Sequence, residues 1–331
     1  MRLLAVLISF GLAFAALDID RAWAARKKTL PSISYDGEQP ATIRYRGLRV
    51  VIDGVPDPDL RRPPDPETDH LLPRVRGYYR NRVIFSFVMD MAWKASADAY
   101  FMRLDAKTRL PQVVVTAFSG GAHCCTHTKI ATADRSGRWH VVDAAGLDGD
   151  LGYRYWDFNG DGADELVTID HSFLYAYDCY ACSFSPTMIL KLEGRKLRNV
   201  TTGANYRRFL RDELKRMEGD AEWGSNGFLG GWVAQKSLVG EIDDAWEKML
   251  ASYDHGSDWD MDCDFAKNPD ACRAAKPALS FPEALWIHLA CNGYPTPNPE
   301  RFPGIKRTDK DSCKPKFPYL GLILTVPRAR P

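Results

Sequence analysis

The sequence lacks an excess of charge of either sign. Its 331 residues include 44 Lys and Arg against 43 Asp and Glu, which gives a formal net charge of +1 at pH 7. Nucleic-acid binding depends on clustered, excess basic charge. The composition therefore gives no electrostatic basis for a nucleic-acid partner, and we expect none. We interpret the short basic run at residues 26–28 as a solvated tail.

The chain also has no apolar run long enough to span a bilayer comfortably. The best candidate, residues 3–16, follows Arg2 and precedes the small-x-small site Ala22-Trp23-Ala24. This order is typical of a cleaved export signal, whereas a buried N-terminal helix is the alternative. We predict a signal peptide at residues 1–24, no transmembrane anchor, and a periplasmic or secreted location. A second small-x-small site at 13–15 leaves the cleavage position open.

Cysteine is sparse, but its number is even. All eight cysteines follow the predicted signal: Cys124, Cys125, Cys179, Cys182, Cys263, Cys272, Cys291 and Cys313. In an exported chain an even count is typical of a disulfide set. Eight cysteines allow about 105 connectivities, so the sequence does not fix the pairing. We expect pairs within the middle group and within the tail, where Cys263–Cys272 and Cys291–Cys313 are the predicted bridges.

Regular patterning is weak at residues 25–74, where prolines alternate with charged residues. We interpret this stretch as a Pro-rich tail and linker that one β-like piece, 42–52, interrupts. Residues 75–202 instead contain short runs of branched and aromatic residues separated by turn formers. These runs are 83–88, 99–104, 111–116, 139–142, 165–169 and 188–192. They predict an antiparallel β-rich domain, which is either propeller-blade-like or a sandwich.

Helical periodicity replaces alternation in residues 203–331. Residues 206–217 place their apolar side chains on one helical face, and residues 229–250 continue the pattern. Residues 282–289 form a third periodic segment in an otherwise irregular tail with four cysteines. The predicted fold class is therefore α+β, with a β-rich middle domain followed by a helical, disulfide-rich C-terminal region.

One acidic loop carries the most specific chemical signal. Oxygen donors fall at alternate positions, on the side chains of Asp157, Asn159, Asp161 and Glu165 and on the carbonyl of Ala163. Ca²⁺ takes six to eight oxygens at roughly 2.3–2.6 Å, which a tight loop of this kind supplies. The sequence therefore predicts Ca²⁺ as the cofactor. An acidic turn without metal is the alternative, because Asp, Asn and Gly are also turn residues.

This loop resembles the metal loop of the FG-GAP and VCBS repeats, in which D-x-[DN]-x-D-G-x-x-[DE] links two strands of a propeller blade. The resemblance implies that the alternate oxygens of residues 157–165 hold one structural Ca²⁺. The loop differs from an EF-hand, which needs a bidentate Glu where this chain has Thr168, and helices where it has strand-like flanks. Because the loop occurs once, the resemblance does not imply a full propeller.

A second group of residues combines histidine and cysteine. It consists of His123, Cys124, Cys125 and His127, with Cys179 and Cys182 further along the chain. Three interpretations compete: a zinc site, a redox-active CxxC pair at Cys179 and Cys182, or disulfides that join Cys124 and Cys125 to Cys179 and Cys182. We favour the third, because the predicted compartment is oxidising and the CxxC pair has no βαβ context.

No pattern identifies a catalytic reaction. A trypsin-like reading of His123 fails because the only Ser-Gly-Gly, at Ser119, lies upstream of the histidine. We predict an exported, disulfide-bonded calcium-binding protein with a structural or binding role in the bacterial envelope and a protein or glycan partner. The alternative is a thiol–disulfide oxidoreductase or metal-dependent enzyme that uses the Cys124/Cys125 and Cys179/Cys182 region. A third possibility is an inhibitor of an extracellular enzyme.

Overall fold

The fold is given by a computed structural model. It describes residues 30–57, 71–89, 92–120, 124–148, 152–257 and 279–303, together with the single positions 259, 268, 271 and 274. The predicted signal peptide at 1–24 lies outside the described residues, and so do Cys263, Cys272 and Cys313. The two disulfides predicted for the tail therefore stay predictions.

Short antiparallel strands make up the first two thirds of the described chain. They are β1 (Ser32–Tyr35), β2 (Ala41–Tyr45), β3 (Leu48–Pro56), β4 (Leu71–Tyr79), β5 (Arg82–Val88), β6 (Ala97–Met102), β7 (Gln112–Phe118), β8 (Cys124–Ala133), β9 (Trp139–Asp148), β10 (Arg154–Trp156), β11 (Glu165–Ile169), β12 (Thr187–Glu193) and β13 (Lys196–Asn199). Each of the six runs predicted from branched and aromatic residues overlaps a strand, so the β-rich prediction is confirmed.

The strands form three sheets. A four-stranded sheet has the order β2-β3-β4-β5, a five-stranded sheet has the order β1-β6-β7-β8-β9, and a second four-stranded sheet has the order β10-β11-β12-β13. Apart from β1, neighbouring strands in each sheet are consecutive in the chain. Each four-stranded sheet is thus an up-and-down meander, which is the connectivity of a propeller blade.

The sheets are stacked so that the five-stranded sheet buries both faces. On β7, Val113 and Val115 pack in a core with residues of β3 and β4, such as Ile52 and Val75. The intervening Val114 packs on the opposite side, in a core that includes Leu166 of β11. Successive side chains of a strand point to opposite faces. A continuous apolar run is therefore what a strand between two other sheets requires.

Helices follow the strands and form the last layer. They are α1 (Arg207–Gly219), α2 (Asn226–Leu238), α3 (Ile242–Ser252) and α4 (Phe281–Cys291). Their apolar faces share a core with Ile189 of β12, on the side of that sheet turned away from β7. The α+β class predicted from the sequence is confirmed. Among the described helices, none combines the length and the apolarity needed to cross a bilayer.

Local signals explain where these helices begin and end. Ser225 caps α2 by accepting the N–H of Phe228, and α4 begins with a capping box between Ser280 and Glu283. The predicted helical stretch 229–250 is divided in two, because Gly240 adopts a left-handed φ of 87° between α2 and α3.

The structure corrects the tail and linker expected at residues 25–74. Strands β1, β2 and β3 lie inside this stretch, and β4 begins in it. Ile43, Val50 and Ile52 are buried in the first core. The β-like piece expected at 42–52 corresponds to β2 and β3. The rest of the stretch was assigned wrongly because five of its prolines lie between residues 56 and 66, after the buried part of β3 and before the start of β4 at Leu71.

Candidate cation site and cysteine loop

The acidic loop 157–165 connects two paired strands, as its sequence predicted. Strand β10 pairs with β11 antiparallel, and Trp156 lies opposite Glu165 in the register. The backbone N–H of Asp164 donates to the carbonyl of Arg103 at 2.6 Å, which ties the loop to the neighbouring five-stranded sheet. The loop therefore has a fixed position at the junction of two sheets.

The side-chain oxygens of the loop organise its own backbone. The Asp157 carboxylate accepts the N–H groups of Gly160 and Gly162, both at 2.9 Å. Asn159 accepts the N–H of Asp161 at 2.9 Å, and Asp161 accepts the N–H of Ala163 at 2.8 Å. Gly162 adopts a left-handed φ of 79°, which favours glycine at this turn. The alternating donors are thus brought together on one short turn.

Glu165 closes the base of the loop from a fully buried position, with 0% of its surface exposed. One oxygen accepts the N–H of Phe158 at 3.1 Å. The other lies 3.2 Å from the Asn159 amide nitrogen and 3.2 Å from the Tyr206 hydroxyl, both of which donate to it. A buried carboxylate needs such partners and a positive charge to offset its lost hydration.

Lys191 of β12 supplies that positive charge. Its Nζ lies 2.8 Å from Asp161 Oδ2 and 3.2 Å from Glu165 Oε1. Partial burial lowers the pKa of Lys191, but the hydrogen bonds to Asp161 and Glu165 outweigh this effect and hold the pKa above its usual value. Lys191 therefore stays charged, and its ammonium sits where two of the predicted calcium ligands converge.

The donor chemistry of the loop fits Ca²⁺, but the geometry includes a competing cation. The loop offers hard carboxylate, amide and carbonyl oxygens of the kind that Ca²⁺ binds. In the described residues, however, the one group of three His, Cys, Asp or Glu ligand atoms within 4.8 Å of one another is Asp178, Cys179 and Cys182. Two carboxylates of the 157–165 loop, those of Asp161 and Glu165, contact the Lys191 ammonium, so a calcium ion would have to displace it or share these ligands.

The loop that contains Cys179 and Cys182, called the cysteine loop below, has a different disulfide pairing from the one predicted. Cys179 and Cys182 are bonded to each other, with an S–S distance of 2.03 Å. The bridges expected from Cys124 and Cys125 to this pair are therefore wrong. The physical reason is a tight turn, in which the N–H of Cys182 donates to the Cys179 carbonyl at 3.1 Å and brings the two sulfurs together.

Two further cysteines are oxidised as well. Cys125 and Cys291 are disulfide-bonded, and none of the cysteines that the structure describes is free. Cys125 and His127 lie on β8, whereas His123 is outside the described residues. The zinc interpretation required the thiolates of Cys179 and Cys182, and the disulfide consumes both of them.

A glycine face on α2 receives the cysteine loop. A methyl group at Gly227 would collide with the Cys182 carbonyl, and one at Gly231 would collide with the Phe184 carbonyl. A methyl at Gly230 would lie 2.6 Å from the ring of Tyr177. The hydroxyl of Ser225 donates to Asp178 at 3.0 Å. The loop therefore lies directly on the helix backbone, close to the N-terminus of α2.

His288 of α4 has hydrogen-bond partners in a distant part of the chain. Its Nε2 lies 2.8 Å from the Ser172 hydroxyl and its Nδ1 lies 2.8 Å from the Tyr177 hydroxyl. Its ring stacks on Phe173 with centroids 4.2 Å apart. Both nitrogens are thus engaged across the boundary between α4 and the segment after β11. No local sequence pattern could have predicted this contact, because more than a hundred residues separate His288 from Ser172 and Tyr177.

The residues of the helical layer match a known family of sequences. The sequence model of the sll0997 C-terminal domain matches residues 204–293, a segment that contains α1 to α4. Both the cysteine loop and the base of the acidic loop contact this segment, through α2 and Tyr206 respectively. The two candidate sites therefore lie at the boundary between the matched segment and the β-rich part.

Two relatives extend the similarity into the β-rich part. The chain is 34% identical to the uncharacterized protein y4bJ of Sinorhizobium fredii over 295 residues, which are 87% of this chain and 45% of y4bJ. It is 30% identical over 230 residues to the "probable thylakoid lumen protein sll0997" of Synechocystis, and this match covers 67% of the chain and 68% of that protein. The chain thus spans less than half the length of y4bJ. No solved structure matches it.

Proposed function

This chain belongs to the family of the Synechocystis protein sll0997, and from that membership we propose that it is an exported, disulfide-bonded protein with a structural or binding role in the bacterial envelope. The name of the relative refers to the thylakoid lumen, a compartment that proteins reach by export. The oxidised state of the described cysteines supports the proposal and is the observation that carries it. Disulfides persist in oxidising compartments and are rare in the cytosol.

Export is tested by fractionating cells that express the full chain and, in parallel, a chain without residues 1–24. The full chain is expected in the periplasm, shortened at its N-terminus and with no thiol that reacts with a maleimide after denaturation. The shortened chain serves as the control and is expected in the cytosol with reactive thiols. A full chain that stays in the cytosol with reduced cysteines would contradict the proposal.

We further propose that the 157–165 loop binds one Ca²⁺ with a structural role. The alternate oxygens, the strand flanks and the buried Glu165 support this, as does the resemblance to the FG-GAP and VCBS loop. Because the Lys191 ammonium competes for Asp161 and Glu165, the affinity belongs in the weak range of extracellular modules, about 10⁻⁴–10⁻³ M. Ca²⁺ would bind the folded state and thereby stabilise it.

Thermal unfolding tests the calcium proposal. The melting temperature of the wild type should rise in 5–10 mM CaCl₂, on the order of ten times the expected dissociation constant, and fall back with a chelator. Asp157→Asn should remove this response, whereas Asp105→Asn should keep it. Asp105 is a matched control because its carboxylate also accepts a nearby backbone N–H, from Lys107 at 2.8 Å, outside the acidic loop. Equal responses of both variants would contradict calcium binding at this loop.

One observation favours a second function, thiol–disulfide exchange. The Cys179–Cys182 pair is a CxxC disulfide that packs against the first turn of α2, and a helix N-terminus stabilises a thiolate. We propose the structural role first, because the loop is fixed against the helix backbone. An insulin-reduction assay with dithiothreitol distinguishes the structural role from the exchange activity. Acceleration by the wild type and its loss in Cys179→Ser would establish the exchange activity.

A further inference from the structure

Two hairpin turns meet at one edge of the β2–β5 sheet. The β2–β3 turn contains Arg46 and Gly47, and the β4–β5 turn contains Arg80 and Asn81. The register of β3 with β4 places Leu48 opposite Tyr79 and Arg49 opposite Tyr78. A methyl group at Gly47 would lie 3.2 Å from the ring of Tyr79. The two turns are therefore immediate neighbours.

This edge of the sheet carries only positive charge. Residues 41–52 contain three arginines and residues 71–89 contain four, and neither stretch contains an Asp or a Glu. Arg74 and Arg76, further along the sheet, are neutralised by Asp53 at 2.8 and 2.6 Å. The other five have no carboxylate partner within the part of the chain that the structure describes: Arg44, Arg46, Arg49, Arg80 and Arg82. The chain carries a net charge of only +1, so this excess of positive charge is local to one edge of the sheet.

Three of these guanidinium groups lie over aromatic rings. The guanidinium carbon of Arg49 lies 4.0 Å from the centroid of the Tyr78 ring. Arg46 lies over Tyr45 at 5.4 Å, and Arg80 lies over Tyr79 at 5.6 Å. Stacking uses the flat face of a guanidinium and leaves the N–H donors at its edge for a ligand.

Four of these arginines line a groove of about 360 Å³, which also includes the rings of Tyr45 and Tyr78. They are Arg44, Arg46, Arg49 and Arg80. Two of the arginines occupy strained positions, because Arg46 has a φ of 46° and Arg80 a φ of 48°. Tight hairpins normally place Asn, Asp or Gly at such positions. Backbone strain of this kind is often associated with a functional site, and here it occurs twice at the same edge.

We propose that this arginine groove binds a ligand with clustered phosphate groups. Several guanidinium groups around a small hollow need a ligand that presents several negative charges at short spacing. Guanidinium groups match phosphate oxygens with paired N–H donors. Either a soluble polyphosphate or the phosphate headgroups of a lipid surface present this chemistry. The proposal is independent of the calcium loop, which lies on another sheet.

Calorimetric titration with inorganic tripolyphosphate tests the proposal. The wild type should bind it, and the variant Arg46→Gln/Arg80→Gln should bind at least tenfold more weakly. The control Arg207→Gln/Arg208→Gln removes the same charge from exposed positions on α1 and should stay within twofold of the wild type. Arg49→Lys keeps the charge but loses the planar fork, so it should weaken binding as well. Thermal melting checks that each variant is folded.

Vesicles distinguish the two sources of phosphate. The full chain is sedimented with vesicles of phosphatidylcholine alone and with vesicles that also contain phosphatidylglycerol. Binding to the anionic vesicles that is lost in Arg46→Gln/Arg80→Gln supports a lipid headgroup, whereas binding of tripolyphosphate alone supports a soluble ligand. The proposal is overturned if the wild type binds neither probe. It is also overturned if the α1 control loses as much affinity as the hairpin variant.

Discussion

Lys191 is the residue on which the acidic loop depends. Its ammonium contacts Asp161 of the loop and the fully buried Glu165 of β11, whereas Lys191 itself lies on β12. Removal of one partner of a buried pair leaves the other charge without compensation, which costs more than the pair itself contributes. The spacing of the acidic residues predicted the loop, but it could not predict Lys191, because the partners lie 26 and 30 residues apart.

We expect Lys191→Met to destabilise the protein by about 2 kcal/mol, less than for a fully buried pair because the lysine is partly exposed. Urea denaturation at pH 7 without calcium measures this loss. Lys215→Met is the control, because its side chain is 76% exposed beside Asp212 and should change the stability little. A loss of similar size in both variants would contradict the role given to Lys191.

The Tyr206 hydroxyl beside Glu165 predicts a pH dependence. Burial, followed by the negative charge of Glu165, raises the pKa of Tyr206 to about 12. An unfolded tyrosine ionises near pH 10, so the native state holds more protons above that pH. The contribution of Tyr206 to stability is therefore complete below pH 10 and lost as the pH rises from 10 to 12. Tyr206→Phe should lose less stability over this range, and parallel curves from urea denaturation would contradict the assignment.

At the scale of elements, the glycine face of α2 determines how the cysteine loop docks. Gly231 faces the backbone of Phe184, which cannot move aside as a flexible side chain can. Gly231→Ala should therefore destabilise the protein by about 1–3 kcal/mol, although alanine is the better helix former. Gly219→Ala at the end of α1, where a methyl group would meet nothing within 4 Å, should be neutral or stabilising. Chemical denaturation of the two variants checks this contrast.

Secondary-structure elements could be predicted where a local sequence pattern defines them. Predictions failed where packing between distant parts of the chain defines the structure. The apolar face of residues 206–217 predicted α1, and Leu210 and Leu214 are indeed buried. The β-like piece at residues 42–52 was predicted and corresponds to β2 and β3, whereas β1 and the start of β4 were assigned to a tail and linker because prolines dominated the composition around them. The pairing of Cys179 with Cys182 was considered only as a redox-active pair, and bridges to Cys124 and Cys125 were favoured, because sequence spacing alone gives no turn geometry.

At the scale of the whole molecule, the described residues form three stacked sheets and a helical layer, and His288 connects the helical layer to the segment after β11. Its ring connects α4 to Ser172 and Tyr177, on the segment that follows β11. Loss of a buried hydrogen-bond partner typically costs about 1–3 kcal/mol. No spacing in the sequence could place the partners together, because they are 116 and 111 residues apart.

We therefore expect His288→Ala to destabilise the protein by about 2 kcal/mol and to increase amide hydrogen exchange in α4. Arg208→Ala is the control, because Arg208 is exposed on α1 and the substitution should stay within about 0.5 kcal/mol of the wild type. If α4 exchanges equally in both variants, His288 does not fasten the helical layer.

The most direct test of the cation site is a calorimetric titration of Ca²⁺ into the full chain at pH 7. The wild type should bind one ion with a dissociation constant of about 10⁻⁴–10⁻³ M. Lys191→Met should bind at least tenfold more tightly, because the competing ammonium is gone, and Asp157→Asn should not bind. No binding by either the wild type or Lys191→Met would contradict the proposal that this loop is a calcium site.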